Sequence, residues 1–151
     1  MQCDAEQIGY FTDRLPDAAQ VTALYREAGW ITDDGAEDTV PPFVQPMLKN
    51  SFAIVTAYDG ARLVGMMRAL SDGVSDAYLL DLVVTASYRK LGIGRKILEK
   101  LCAHLDAAGI DWIVWIGADG TEEFYKKTGA TVMKNHIPYR YNNGSGTAGD
   151  L

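Results

Sequence analysis

The sequence has little of what several common functional classes require. It contains two cysteines, Cys3 and Cys102, far apart and with no Cys-x-x-Cys or Cys/His spacing, which excludes a disulfide framework and a zinc-finger-type site. Its two histidines, His104 and His136, have no partner at metal-ligand spacing, so no metal site is expected. Basic residues number 14 against 20 acidic ones, for a formal net charge of -6 and a pI of about 4.8. That balance lacks the electrostatic footprint of a general nucleic-acid binder and leaves room only for a local basic patch. No apolar run approaches the roughly 18 residues of a membrane span, and the start MQCDAEQIGYFTD has neither the basic nor the apolar region of a secretory leader. A soluble, cytoplasmic protein is therefore expected, with neither a membrane nor a nucleic acid as partner.

At 151 residues and 48% hydrophobic content, the chain can bury one ordinary core. The expected domain is 1–141. The segment 142–151 (NNGSGTAGDL) offers only Leu151 as a sizeable apolar group and reads as a flexible tail.

Along the chain, Ile8 to Phe11 reads as a short strand. Pro16 to Gly29 carries apolar residues at three- and four-residue spacing and reads as a helix stopped by Gly29. The stretch Asp33, Asp34, Glu37, Asp38 and Pro41-Pro42 reads as a solvated acidic loop, with a short helix around Pro46 to Asn50. Phe52 to Tyr58 and Arg62 to Leu70, joined by Asp59-Gly60, form a hairpin signal. After a turn at Ser71-Asp72-Gly73 comes AYLLDLVV (Ala77 to Val84), which predicts a central strand covered on both faces. A helix from Ile93 to Gly109 presents Ile93, Ile97, Leu98, Leu101 and Leu105 on one side. DWIVWIG (Asp111 to Gly117) reads as a second buried strand, parallel to the first through a right-handed crossover. Thr121 to Thr128 reads as a short helix, and Ala130 onward as a last β segment reaching Tyr139-Arg140-Tyr141. The fold class is mixed α/β (α+β).

The informative text is Arg89-Lys90-Leu91-Gly92-Ile93-Gly94-Arg95, where a loop enters a helix. Backbone N–H groups at such an entrance lack intrahelical acceptors and sit at the positive end of the helix dipole. Gly92 and Gly94 leave room for a phosphate, and Arg89, Lys90 and Arg95 place positive charge on an otherwise acidic chain. Two readings of these residues stand side by side: a diphosphate site, or a turn that uses glycine for conformational reasons. A P-loop is excluded, because no Gly-x-x-x-x-Gly-Lys followed by Ser or Thr occurs. The dinucleotide fingerprint is opposed by Ile97, where a glycine is required, and by the loop Thr85 to Leu91 separating strand from glycines.

Leu82 to Gly94, with Arg89, Gly92 and Gly94, resembles the acetyl-CoA-binding motif Arg/Gln-x-x-Gly-x-Gly/Ala of the GNAT superfamily of N-acetyltransferases. Glu123-Phe124-Tyr125-Lys126-Lys127-Thr128-Gly129-Ala130 is similar to the family's second signature, departing from it at Ala130, where relatives carry an aromatic residue. The resemblance covers about Ile8 to Tyr141. It implies a single domain with a mixed, mostly antiparallel sheet, a parallel strand pair that splays apart, and flanking helices.

It also implies roles. The pantetheine arm of acetyl-CoA would pair with the backbone of Leu82, Val83 and Val84. The pyrophosphate would sit on Lys90, Leu91, Gly92, Ile93, Gly94 and Arg95, with Arg89 and Lys90 adding side-chain contacts and Phe124 and Tyr125 flanking the cofactor. Tyr125 matches the family tyrosine facing the cofactor sulfur, where it serves either as proton donor to the leaving thiolate or as an aromatic wedge. Asp81 is the only carboxylate in AYLLDLVV. A carboxylate there must be hydrogen-bonded or have a raised pKa, and it serves either to act on or position the amine or to bind loop backbone. Tyr78 stands near the place of the glutamate base of histone-type relatives, which speaks against that mechanism.

The oxyanion donor would be the backbone N–H of Val83 or Val84. Tyr25 and Trp30 could wall an acceptor pocket or belong to the core, and the acidic loop either draws in a cationic amine or is merely solvated. The function so implied is transfer of an acetyl group from acetyl-CoA to a primary amine of a small molecule or peptide, by direct attack in a ternary complex and without a metal. The alternative is an acyl-CoA-binding sensor without turnover. A homodimer is compatible with the resemblance.

Overall fold

The computed structural model describes residues 5–32 and 39–144. Cys3, the acidic residues Asp33, Asp34, Glu37 and Asp38, and most of the expected tail lie outside them. The chain divides into two compact units, Met1–Trp115 and Ile116–Leu151.

The first unit is built on a five-stranded sheet in the order β1-β2-β3-β4-β5. The strands are β1 (Ile8–Phe11), β2 (Ala53–Asp59), β3 (Arg62–Ser71), β4 (Asp76–Val84) and β5 (Trp112–Trp115). Neighbours are antiparallel except β4 and β5, which are parallel. The helices are α1 (Ala18–Glu27), α2 (Val44–Lys49) and α3 (Ile93–Ala107).

Local chemistry accounts for the boundaries. Pro16 stands just before the α1 cap, where the Asp17 carboxylate accepts a hydrogen bond from the Gln20 N–H. Gly29 ends the turn after α1 at φ 79°. The β2–β3 hairpin closes through Gly60-Ala61, with Gly60 at φ 57°. In the β3–β4 turn the Asp72 carboxylate accepts from the N–H groups of Val74 and Ser75 and from the Ser75 hydroxyl. These bonds hold its pKa well below the usual carboxylate range.

The core lies on both faces of β2 and β3. On one face Val21, Leu24 and Tyr25 of α1 and Val44 and Leu48 of α2 pack with Ile54, Tyr58, Leu63, Met66 and Val83. On the other lies α3, whose buried residues are Ile93, Ile97, Leu98, Leu101 and Leu105, the set that helical periodicity selects. Gly65 marks how closely they approach: a Cβ there would stand 3.0 Å from Ile97 Cδ1 and 3.0 Å from the Val83 carbonyl oxygen.

The sequence places two strands too deep. Residues 53–58 of β2 and 63–67 of β3 are buried throughout, whereas in β4 burial alternates, Ala77 and Leu79 inside and Asp76 and Tyr78 exposed. Two helical layers cover β2 and β3, whereas the alternation in β4 is confined to Asp76–Leu79, the half of the strand that precedes its contact with α1 at Asp81. The strand β5 lies at the sheet edge, with Trp112 48% exposed.

In the second unit, α4 (Glu122–Lys127) is the described helix. The expected β segment over 130–141 is not there: the described residues have no strand in that range. Asn135 at φ 63° interrupts the extended run, and Pro138 has no N–H to give a ladder. Ile137, Tyr139 and Tyr141 are accordingly exposed.

Candidate functional site

Parallel pairing between β4 and β5 ends at Leu79↔Trp115. Beyond it, Leu80 to Val84 remain paired with β3 on one side and have no strand partner on the other among the described residues. The β3–β4 register shifts there, Met66 facing Val83 and Arg68 facing Leu80. One β3 residue thus opposes two on β4, Asp81 and Leu82, and Asp81 takes φ 61°. Asp tolerates the left-handed region better than most residues, and a bulge re-aims its side chain.

That side chain is held by two donors. The Tyr25 hydroxyl donates to Asp81 Oδ2 at 2.8 Å, and Arg68 Nε donates to the same oxygen at 2.7 Å. Arg68 and Asp81 form an ion pair with side chains 12% and 24% exposed. Arg68 also reaches the Ser51 hydroxyl at 3.4 Å. Burial raises the Tyr25 phenol above its ordinary value, with the Asp81 charge adding to the effect and Arg68 opposing it. Of the two open readings for Asp81, its hydrogen-bond partners prove to be side chains rather than loop backbone. Tyr25 is core, and Trp30 meets it edge-on with ring centroids 5.1 Å apart while staying half exposed.

After β4 the chain makes a single 3-10 turn, Ala86–Tyr88, and reaches the glycines. Several contacts fix this connection. The Thr85 N–H donates to the Val64 carbonyl at 2.8 Å, and the Tyr88 hydroxyl to Asp59 Oδ2 at 2.6 Å. Arg89 Nε donates to the Val84 carbonyl at 3.0 Å. Lys90 (φ 62°) and Gly92 (φ 80°) are both left-handed, and Gly92 is the N-cap of α3 without any side-chain cap. The opening N–H groups of α3 are thus left to water or a ligand. Lys90, Leu91 and Gly92 are exposed, Gly94 is half-buried and Ile93 is buried. Arg95 is paired with Glu99 one helical turn on, at 2.8 Å, so part of the expected positive charge is balanced within α3.

Leu82 and Val84 are half-buried and Val83 is core, all on the unpaired stretch of β4. Asp81 and the glycine turn thus lie at either end of one short run of chain in the first unit. Phe124 and Tyr125 belong to the second unit, on α4, with rings edge-to-face at 5.1 Å. A Cβ on Gly117 would stand 3.2 Å from the Tyr125 ring and 3.0 Å from Thr121 Oγ1, a tight fit that a side chain there would have to relieve. Burial pushes the Tyr125 phenol up from its ordinary value, which already lies well above neutral pH.

Elsewhere, burial raises the pKa of the half-buried Cys102 thiol, and His136 Nδ1 lies 2.8 Å from the Lys134 carbonyl oxygen. Among the described residues no three His, Cys, Asp or Glu side chains gather as metal ligands, and no helix is long and apolar enough to cross a membrane.

Sequence reasoning missed Arg68. A signal existed: MMRAL and AYLLDLVV each carry one isolated charge in an apolar strand, of opposite sign, and such charges are buried only when paired. Glu27, whose carboxylate accepts from the Thr85 hydroxyl and the Ala86 N–H at the start of the loop, leaves no such signal.

A single five-stranded mixed sheet, antiparallel except for the β4–β5 pair and flanked by helices, is consistent with the fold of GNAT acetyltransferases. The chain belongs to the acetyltransferase (GNAT) family, whose model matches residues 16–130. It is similar to an uncharacterized N-acetyltransferase of Pyropia yezoensis, 32% identical over 90 residues that make up 57% of this chain and 52% of that one. It is also similar to a histone acetyltransferase of Glycine max, 27% identical over 135 residues covering 82% of this chain and 56% of that one. Among solved structures, a GNAT family acetyltransferase from Streptococcus pneumoniae has the same fold, with TM-score 0.72 and 21% identity over 91% of this chain and 98% of that one. The chain spans about half the length of the two curated relatives.

Proposed function

We propose that the protein is an acetyl-CoA-dependent N-acetyltransferase that passes an acetyl group to a primary amine of a small molecule or peptide by direct attack in a ternary complex. The observation that carries this reading is the continuity of an unpaired β4 edge, Leu80 to Val84, with a helix entrance that has no side-chain cap. An extended amide chain ending in a diphosphate fits that sequence of features. The strand edge offers backbone groups to the amides, and the left-handed Lys90 and Gly92 leave backbone N–H groups for the phosphates.

When bound, acetyl-CoA supplies an activated thioester. The backbone of Leu82, Val83 and Val84 holds the pantetheine arm, and an N–H of Val83 or Val84 polarises the carbonyl oxygen. Lys90 to Arg95 hold the diphosphate, with the Arg89 and Lys90 side chains beside it. Asp81, fixed by Arg68 and Tyr25, positions the incoming amine as a hydrogen-bond acceptor. Its Oδ2 is already engaged by the Tyr25 hydroxyl and Arg68 Nε, and the amine's proton passes to water.

Tyr125 is the proton donor to the departing sulfur; its support is the Phe124-Tyr125 motif together with a phenol that stays protonated at neutral pH. Phe124 packs beside the cofactor.

The test is thermal unfolding with acetyl-CoA, CoA, ATP and NAD in parallel, since it requires no knowledge of the amine. At a hundredfold excess over Kd the ligand contributes about 2.7 kcal/mol, which raises Tm by roughly 5–10 °C at this chain length. A rise with the CoA species alone is expected. No rise from folded, ligand-free protein sinks the reading, and binding without turnover on any amine turns it into an acyl-CoA sensor. Once an amine is found, Tyr125→Phe should lower turnover about tenfold with acetyl-CoA affinity unchanged. The effect is modest because a thiol of pKa about 8.5 is already a tolerable leaving group. Wild-type turnover in that variant removes Tyr125 as the acid.

A further inference from the structure

Where β5 stops, something else must hold β4 and the loop that follows it. The last five residues of the strand have no strand partner on one side among the described residues, and the connection they enter has few hydrophobic anchors. The element that takes over is α1. It reaches β4 first through Tyr25, which binds Asp81 at the bulge. It reaches the chain again through Glu27, its last residue, with both carboxylate oxygens engaged. Glu27 Oε2 accepts from the Thr85 hydroxyl at 2.7 Å, and Oε1 accepts from the Ala86 N–H at 2.5 Å.

The second bond falls at a sensitive place. Ala86 opens the 3-10 turn that carries the chain to Lys90 and Gly92, so Glu27 caps that turn as a side chain caps a helix. Thr85 is buried, and its own N–H is bound to Val64 on β3, so Glu27 closes the last free polar group of a residue already fixed to the sheet. The hydrogen bonds from the Thr85 hydroxyl and the Ala86 N–H favour its ionised form, as do the charged groups facing it, Arg89 and Arg62, and its pKa lies below the ordinary carboxylate value. Arg62 in turn lies over the ring of Tyr88, 5.3 Å from its centre. A loop held at Thr85, Ala86 and Tyr88 presents the left-handed pair in one arrangement, and preorganised N–H groups bind an anion without a further ordering cost.

We infer that Glu27 is a positioning residue for the diphosphate-binding turn, acting through Thr85 and Ala86 and touching no ligand itself. This inference rests on the acetyl-CoA reading above. The experiment is calorimetric titration of acetyl-CoA into the wild type, Glu27→Ala, Glu27→Gln and Thr85→Val, with Tm recorded for each.

Glu27→Ala should bind about tenfold more weakly, the loss expected for two bonds to a charged acceptor. Glu27→Gln keeps one carbonyl acceptor for the Ala86 N–H and should recover most of the affinity. Thr85→Val, which keeps that bond and removes the other, should lose about threefold and stands in if Glu27→Ala does not fold.

A lower Tm with wild-type affinity in the Glu27 variants overturns the inference and leaves Glu27 as a helix-docking contact. A wild type that binds no CoA species overturns the acetyl-CoA reading and this inference together.

Discussion

Asp81→Ala is expected to lower Tm by about 5–10 °C and to reduce turnover by about a hundredfold. The first effect follows from its partners. Arg68 is mostly buried and loses its counter-ion, while the Tyr25 hydroxyl, in the core, loses its acceptor. Breaking a fully buried pair costs about 3–5 kcal/mol; with Asp81 partly open to solvent, about 2–3 kcal/mol is reasonable. At roughly 2–4 °C per kcal/mol for a chain of this length, that gives the quoted shift. Alanine also tolerates the left-handed backbone at φ 61° less well than aspartate.

The second effect follows from the proposed role of Asp81 in placing the amine, for which loss of a positioned group costs about two orders of magnitude. Asp81→Asn separates the two. Asparagine accepts the left-handed conformation, and its carbonyl oxygen can receive both donors, so most of the Tm should return. Turnover that stays low in the asparagine variant assigns the charge to amine placement. Turnover that returns with Tm reduces Asp81 to a structural anchor, and unchanged Tm in the alanine variant rejects the network as a source of stability.

Gly92→Val should have the opposite profile, a nearly intact fold with cofactor binding lost. Among the described residues nothing stands within 4 Å of a Cβ at position 92, so a side chain there meets open space. The cost to the fold is the strain of a β-branched residue at φ 80°, about 1–3 kcal/mol, or roughly 2–12 °C in Tm. The cost to binding is larger, because the side chain would occupy the approach to the uncapped N–H groups of α3 and pull the cap toward an ordinary backbone conformation. Losing one or two charge-assisted hydrogen bonds to a phosphate weakens affinity about tenfold to several hundredfold. Acetyl-CoA titration against a folded Gly92→Val protein measures this directly. Wild-type affinity would reject the glycine turn as the diphosphate site, whatever the family.

Thr85→Val and Gly92→Val both act on the entrance to α3, one from behind and one from the front, and should differ in kind. The first leaves the space for a phosphate untouched and loosens its support, so a modest loss is expected. The second fills that space. A Thr85 effect as large as that at Gly92 would mean that the loop has only one rigid arrangement and that support and contact are inseparable there.

Local patterns in the sequence already specify much of this molecule. The apolar spacing of Ile93, Ile97, Leu98, Leu101 and Leu105 determines α3 and its buried side, and Asp59-Gly60 determines the hairpin, because both depend on residues close together in the chain. Arg89, Gly92 and Gly94 are likewise local: a loop entering a helix with two small residues is legible whatever lies beyond it.

What depends on partners distant in sequence was not legible. Burial of β4 and β5 is one such case, since an apolar run does not say how many layers will cover it; the missing strand over 130–141 is different, because Asn135 and Pro138, which oppose it, stand within the segment itself. Only the tertiary structure ends the β4–β5 pairing at Leu79 and bulges β4 at Asp81. It alone brings Tyr25 and Arg68 to one carboxylate oxygen and sets Glu27 against Thr85 and Ala86. The reason is physical: register, strand edges and ion pairs between remote segments are decided when the layers pack, and no window of neighbouring residues contains them.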